Sequence, residues 1–159
     1  MATEYYIAGC RLEGQSGHEA GRSLLQQLYT QYVGTPMPPI LRHSGGKPYF
    51  ASSDWYFSIT HTRRHAFCVL ARCPVGVDAE EADRNIDLRM AEKILSPGEL
   101  AQFSAAEDPR LALLRFWVLK EADAKRTGEG IRFHPRHTDF SLEDPRLQYR
   151  DGCILAIVL

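Results

Sequence analysis

Phe116-Trp117-Val118-Leu119-Lys120-Glu121-Ala122-Asp123-Ala124-Lys125 is the stretch on which the fold of this 159-residue chain turns. It reads as the second half of a helix that begins near Pro109. Asp108 suits the N-cap, Pro109 the first helical position, and Gly128 sits just past the end. Leu111, Leu114 and Val118, with Leu113, Phe116 and Trp117, form a wide apolar stripe at helical spacing. At roughly 100° per residue, Trp117, Lys120, Glu121, Ala124 and Lys125 share one side. One carboxylate and two ammonium groups therefore leave the rim of a buried surface in nearly the same direction. Glu121 and Lys125 could equally form an ordinary surface pair one turn apart, worth a few tenths of a kcal/mol. The rest of the chain has to decide between the two.

Upstream, Tyr5 to Cys10 reads as a strand, the 14–17 segment as a break, and His18 to Tyr32 as a helix with Leu24, Leu25, Leu28 and Tyr32 on one side. Arg22 lies near the start of that helix. A loop from Gly34 to Pro39 leads to Ser44-Gly45-Gly46-Lys47-Pro48-Tyr49. Gly-Gly-Lys suggests a phosphate-binding loop, but Pro48 stands where Ser or Thr is required and the upstream Gly is missing. Trp55 to Thr62 alternates as a strand, with Phe57 and Ile59 on one face and Ser58, Thr60 and Thr62 on the other. Ala66 to Ala71 is a more buried strand. Val75 to Glu80 is a third, on which Asp78 and Glu80 project together and Ala79 points the other way. Two neighbouring carboxylates repel, so the pair either calls for a cation or sits harmlessly at a solvent edge.

Leu88 to Leu95 reads as a short helix, and Ser96-Pro97-Gly98-Glu99 as a capping box in which Glu99 reaches back to Ser96. After the long helix, Phe140 to Leu142, Leu147 to Tyr149 and Cys153 to Leu159 read as strands, the last two joined by an Arg150-Asp151-Gly152 turn. The order of elements predicts an α+β fold.

Composition narrows the chemistry. A hydrophobic content of 44% and a charged content of 25% predict one compact soluble domain. A net charge of −1 argues against a nucleic-acid partner, and no apolar run is long enough to span a membrane. Four scattered cysteines (Cys10, Cys68, Cys73, Cys153) fit neither a zinc spacing nor a disulfide framework, so a cytoplasmic protein with reduced thiols is expected. His61 and His65 are four apart but lack the glutamate and the helix of a zinc protease. Asp78, Glu80 and Glu121 are all oxygen donors, which suits Mg²⁺. Lys120, Lys125, Lys47 and Arg22 nearby point to a phosphate-bearing substrate.

Gly46-Lys47-Pro48, Phe57-Ser58-Ile59-Thr60-His61-Thr62, Gly76-Val77-Asp78-Ala79-Glu80 and Trp117-Val118-Leu119-Lys120-Glu121-Ala122 with Lys125, in this order, resemble the 4′-phosphopantetheinyl transferases. The tail of the last motif also fits at Lys125, Gly128 and Gly130. The acidic strand follows a strand, a helix and two more strands, as in the larger single-chain type of that family. The resemblance implies two small α+β halves, about 1–74 and 75–159, packed as a pseudo-dimer and working as a monomer. It implies Mg²⁺-dependent transfer of the phosphopantetheine arm of coenzyme A to a serine of an apo acyl or peptidyl carrier protein, releasing adenosine 3′,5′-bisphosphate. Asp78, Glu80 and Glu121 would be the metal ligands, and Arg22, Lys47, Thr60, His61, Lys120 and Lys125 would hold the coenzyme. Glu99, Glu121 and Lys125 would be catalytic. Glu99 matches the family's proposed base, a role compatible with its capping box. Ser58 replaces the family's usual Asn and Ala79 an aliphatic residue, and much of the N-terminal basic segment is missing. A magnesium nuclease fits less well, because Glu121 and Lys125 are wrongly spaced and no basic stripe accompanies them. An inactive coenzyme- or carrier-binding module would be expected to have lost a metal ligand.

Overall fold

The computed structural model describes residues 4–128 and 135–159. Its layers follow from which faces of each element are apolar. β5 (His65–Ala71) is buried along its whole length because it has apolar neighbours on both sides. Ala66, Cys68 and Leu70 face one cluster, and Phe67, Val69 and Ala71 face another. On one edge β5 pairs antiparallel with β1 (Tyr5–Arg11), on the other with β4 (Tyr56–His61). α1 (Gly17–Tyr32) packs Ala20, Leu24, Leu25 and Leu28 onto the first cluster. Ser16 caps this helix by accepting a hydrogen bond from the Glu19 N–H at 3.1 Å.

The second cluster joins two sheets. β6 (Gly76–Glu81) turns Val77 and Ala79 into it, and β8 (Cys153–Val158) adds Leu155 and Ile157. β6, β8 and β7 (Leu147–Arg150) form the second antiparallel sheet in that order. The β7–β8 turn has positive φ at Asp151 (51°) and Gly152 (79°), the primed geometry that suits strand twist. On the far side, α4 (Pro109–Thr127) lays Leu114, Val118, Leu119 and Ala122 on Ile154, Ala156 and Val158. The layers thus run helix, sheet, sheet, helix, and the class is α+β.

α4 has the predicted ends. Asp108 accepts from the Leu111 N–H at 3.1 Å, Pro109 leads, and Gly128 closes it at φ 79°. Its other face packs Leu113 and Phe116 against Ala91, Ile94 and Leu95. Gly76 has a specific reason to be glycine. α4 crosses β6 so closely that a Cβ there would lie 1.8 Å from the Ala122 carbonyl oxygen and 2.6 Å from the Arg126 nitrogen.

Between β6 and α4, Leu88–Met90 is a 3₁₀ turn, followed by α2 (Ala91–Ile94) and α3 (Pro97–Ala105). The short helix expected over 88–95 is therefore split. The segment between α1 and β4 contains a small hairpin, β2 (Ile40–Arg42) with β3 (Pro48–Phe50), which follows the expected loop and for which the sequence suggested no element. Phe140 to Leu142 is not a strand. Its backbone is taken up by α3 side chains instead: the Phe140 N–H donates to Glu99, the Leu142 N–H to Gln102, and Gln102 donates back to the Phe140 carbonyl. Gly130 lies outside the described residues.

Candidate active site

β6 carries acidic groups on both faces. Asp78 and Glu80 point away from the inter-sheet core, as their period-two spacing requires, and Ala79 points into it. Asp78 is buried. Its Oδ1 receives the Lys125 ammonium at 2.9 Å and the Thr60 hydroxyl at 3.3 Å, and its Oδ2 has no partner among the described residues. Glu80 pairs with Arg84 Nη1 at 2.5 Å. Glu121, half-buried on α4, has neither an ion-pair nor a hydrogen-bond partner among the described residues, but Asp78 and Glu80 both raise its proton affinity. Burial pushes all three carboxyls above the usual range, and Lys125 opposes it in each. Three carboxylates that repel one another, one with an orphaned buried oxygen, are an oxygen donor set that fits a hard divalent cation.

These groups border two hollows. A cavity of about 660 Å³ is lined by Gly46, Lys47, Ser58, Trp117, Glu121 and Lys125 among others. A second hollow of about 770 Å³ is bordered by His61, Arg63, Glu80 and Arg84. Lys47 donates to the Arg126 carbonyl at 2.8 Å and to that of Val75 at 3.4 Å, so it sits on the C-terminus of α4. Burial, and then Arg126, lower its pKa. The start of α1 lies against the His61 ring, where a Cβ on Gly17 would come within 2.2 Å. Arg22 is further along α1 and makes no hydrogen bond or ion pair among the described residues. Thr60 is buried and its hydroxyl faces Asp78 rather than open space.

Glu99 and Lys120 are placed differently from the other candidates. Both are fully buried and pair at 2.6 Å. Glu99 Oε1 also accepts from the Ser96 N–H at 2.8 Å, completing the capping box, and Oε2 accepts from the Phe140 N–H at 2.8 Å. Lys120 donates to the Thr138 hydroxyl and carbonyl at 2.8 and 3.1 Å and to the Pro135 carbonyl. Among the described residues, neither side chain lines either of the two hollows above. Their visible work is to hold the 135–140 segment against α3 and α4, with Pro135 on the cavity wall.

Among the described residues, three potential metal ligands come within 4.8 Å of one another, and they are His65, Glu81 and Cys153. They lie on the core side of β6 and satisfy each other. Glu81 accepts from the Thr62 hydroxyl at 2.6 Å, pairs with His65 Nδ1 at 2.8 Å and with Arg64 at 3.1 Å. With a guanidinium already on Glu81, this is a closed internal network. Sequence spacing could not reveal it, because Cys153 is 88 residues from His65. Ser58 and Arg84 were also missed. Ser58 accepts the Val77 N–H at 3.0 Å, and its place on the polar face of β4 was the available signal. Arg84 follows Glu80 by four residues, a spacing that means little outside a helix.

Fold and site together define an α+β protein in which three carboxylates, flanked by Lys125 and Arg84, stand beside a cavity lined by Lys47, Glu121 and Lys125. Residues 74–151 match the 4′-phosphopantetheinyl transferase superfamily. The chain is 29% identical over 118 residues to the 4′-phosphopantetheinyl transferase psf-1 of Bacillus pumilus, covering 71% of this chain and 50% of that protein. It is 30% identical over 122 residues to the 4′-phosphopantetheinyl transferase HetI of Nostoc sp., covering 70% of this chain and 52% of that protein. The chain thus spans about half the length of these curated relatives.

Proposed function

We propose that this protein transfers the 4′-phosphopantetheine arm of coenzyme A to a serine of an apo acyl or peptidyl carrier protein, releasing adenosine 3′,5′-bisphosphate. The observation that carries this reading is that Asp78, Glu80 and Glu121 all feel the charge of Lys125, with Glu121 and Lys125 on the wall of the cavity that Lys47 and Trp117 also line. Asp78, Glu80 and Glu121 would hold Mg²⁺, which when bound neutralises charge on the pyrophosphate and on the phosphorus under attack. Lys125 spans the two functions. It steadies Asp78 now, and being one-third exposed it can turn toward the departing phosphate and stabilise or protonate it. Lys47, held at the end of α4, and His61 and Arg22 by α1, would receive the nucleotide's phosphates. Thr60 acts in this reading through Asp78, and Lys120 through Glu99 and the cavity wall. Glu99 is an anchor and not the base, since each of its oxygens already accepts hydrogen bonds in a buried setting.

The layering supports a pseudo-dimer, with β1 to β5 and α1 in one half and β6 to β8 and α4 in the other, divided near Pro74. One half provides Lys47 and His61, the other the carboxylates, so one chain carries a whole site and should act as a monomer. A cytoplasmic location accords with four free thiols, and among the described residues no helix is long and apolar enough to cross a membrane. The deciding experiment incubates the protein with coenzyme A, Mg²⁺ and an apo-carrier protein and weighs the carrier. Wild type should add the phosphopantetheine mass, and Asp78→Asn and Glu121→Gln should be slower by at least ~10²-fold. An Asp78→Asn protein with near-native turnover at limiting Mg²⁺ would refute the metal assignment.

A further inference from the structure

We propose that Arg84 is a built-in counter-ion for Glu80 that a divalent cation must displace, so that it sets the metal affinity of the protein free of substrate. The inference rests on the metal-site reading above and extends it to a residue that the family's motifs do not include. Glu80 is mostly buried, at 16% exposure, and its Oε1 accepts from Arg84 Nη1 at 2.5 Å. The arginine's own side chain is 47% exposed and can move into solvent or into the hollow it borders with His61 and Arg63.

Its backbone is fixed while its side chain is not. The turn after β6 is held by Arg110 of α4, which donates to the Ala82 and Arg84 carbonyls at 2.7 and 2.9 Å. Beside it, Asp83 is held by Arg64 at 2.8 Å. The guanidinium is thus delivered to Glu80 from a rigid stem, in the manner of a hinged latch. It also solves a local problem. Asp78 has Lys125, Glu121 stands without a partner among the described residues, and Glu80 lies close enough to both for the charges to repel. A cation on Glu80 offsets that repulsion, and for the same reason competes with a divalent ion for that carboxylate.

The test measures Mn²⁺ binding to the substrate-free protein by electron paramagnetic resonance, with thermal melts to verify folding. Arg84→Ala and Arg84→Gln should bind Mn²⁺ about fivefold more tightly than wild type, the effect of removing one partly exposed competing ion pair. Arg115→Ala removes the same charge from the exposed face of α4, where Arg115 meets the Tyr149 hydroxyl, and should leave the affinity unchanged. Asp78→Asn should lose the ion. Mn²⁺ binding that depends on Asp78 but is equal or weaker in both Arg84 variants overturns the latch and leaves the metal site standing. An equal gain in Arg115→Ala overturns it in favour of long-range charge. Absence of Mn²⁺ binding in wild type and in both Arg84 variants overturns the latch and the metal reading together.

Discussion

Replacing Glu99 with Gln separates anchoring from chemistry. Gln keeps a carbonyl oxygen and serves in a capping box, so it can still accept from Ser96 or Phe140. What it loses is the charge facing Lys120, which burial already pushes below its ordinary pKa against the pull of Glu99. Both side chains are fully buried, and breaking such a pair by removing one partner costs about 3–5 kcal/mol. For a domain of this size that is a fall in Tm of roughly 6–20 °C. If Glu99 only anchors the 135–140 segment, folded Glu99→Gln should transfer phosphopantetheine at a rate within about an order of magnitude of wild type, far short of the loss expected of a missing general base. The assay is carrier mass against time at a temperature well below the variant's Tm, with circular dichroism to count folded molecules.

A Glu99→Gln/Lys120→Met double variant sharpens the comparison. Met removes the stranded ammonium but orphans the acceptors at Pro135 and Thr138, so full recovery is not expected. The double variant should nonetheless be more stable than the sum of the two losses predicts, by about 2 kcal/mol. A Glu99→Gln protein with a wild-type Tm and a rate reduced ~10²-fold or more would refute the anchor and restore the base.

Gly76→Ala should fail through packing. With the Ala122 oxygen 1.8 Å from the new Cβ, strand and helix must part, which costs at least about 3 kcal/mol, readable as a lower urea midpoint. A Gly76→Ala protein of native stability would mean that α4 does not lie so close to β6. Glu81 gives a pH signature. Burial pushes its carboxyl up, but hydrogen bonds from Thr62, His65 and Arg64 together outweigh this and hold it at about 2. A depressed pKa contributes stability that is complete above the unfolded value near 4.3 and is lost as pH falls toward 2, here about 2 kcal/mol after allowing for the exposure of Arg64. Urea unfolding from pH 5 to pH 3 should therefore slope less steeply for Glu81→Gln than for wild type, and equal slopes would refute an ionic network.

Features set by neighbours in sequence could be read in advance. The caps of α3 and α4 are local hydrogen bonds between residues three apart, so Ser96, Glu99 and Asp108 announced them. Strand alternation fixed the two faces of β4 and β6 for the same reason. Partner choice across the chain was not legible. Lys120 and Lys125 share a helix side, but helical geometry does not say that one meets Asp78 while the other meets Glu99 and is sealed from solvent. Phe140 to Leu142 has strand-like residues, and its backbone partners turned out to be side chains of α3, which no pattern in that segment encodes.

The join between the sheets shows how a motif can mix structural and chemical duties. β4 and β6 lie in different sheets and share no backbone ladder. Two side chains of the polar face of β4 and one just beyond its end bridge the gap instead: Ser58 to the Val77 N–H, Thr60 to Asp78, and Thr62 to Glu81. A slip of one residue in β4 would replace these hydroxyls with Phe57 and Ile59, which belong to the α1 core. The hydroxyl ladder therefore fixes the register in which Asp78 meets Thr60. Its first rung is also where this chain has Ser in place of the family's usual Asn. Serine's single oxygen suffices there, because the Val77 N–H needs only one acceptor. The departure lies in the joint that positions the carboxylates and leaves the carboxylates themselves intact.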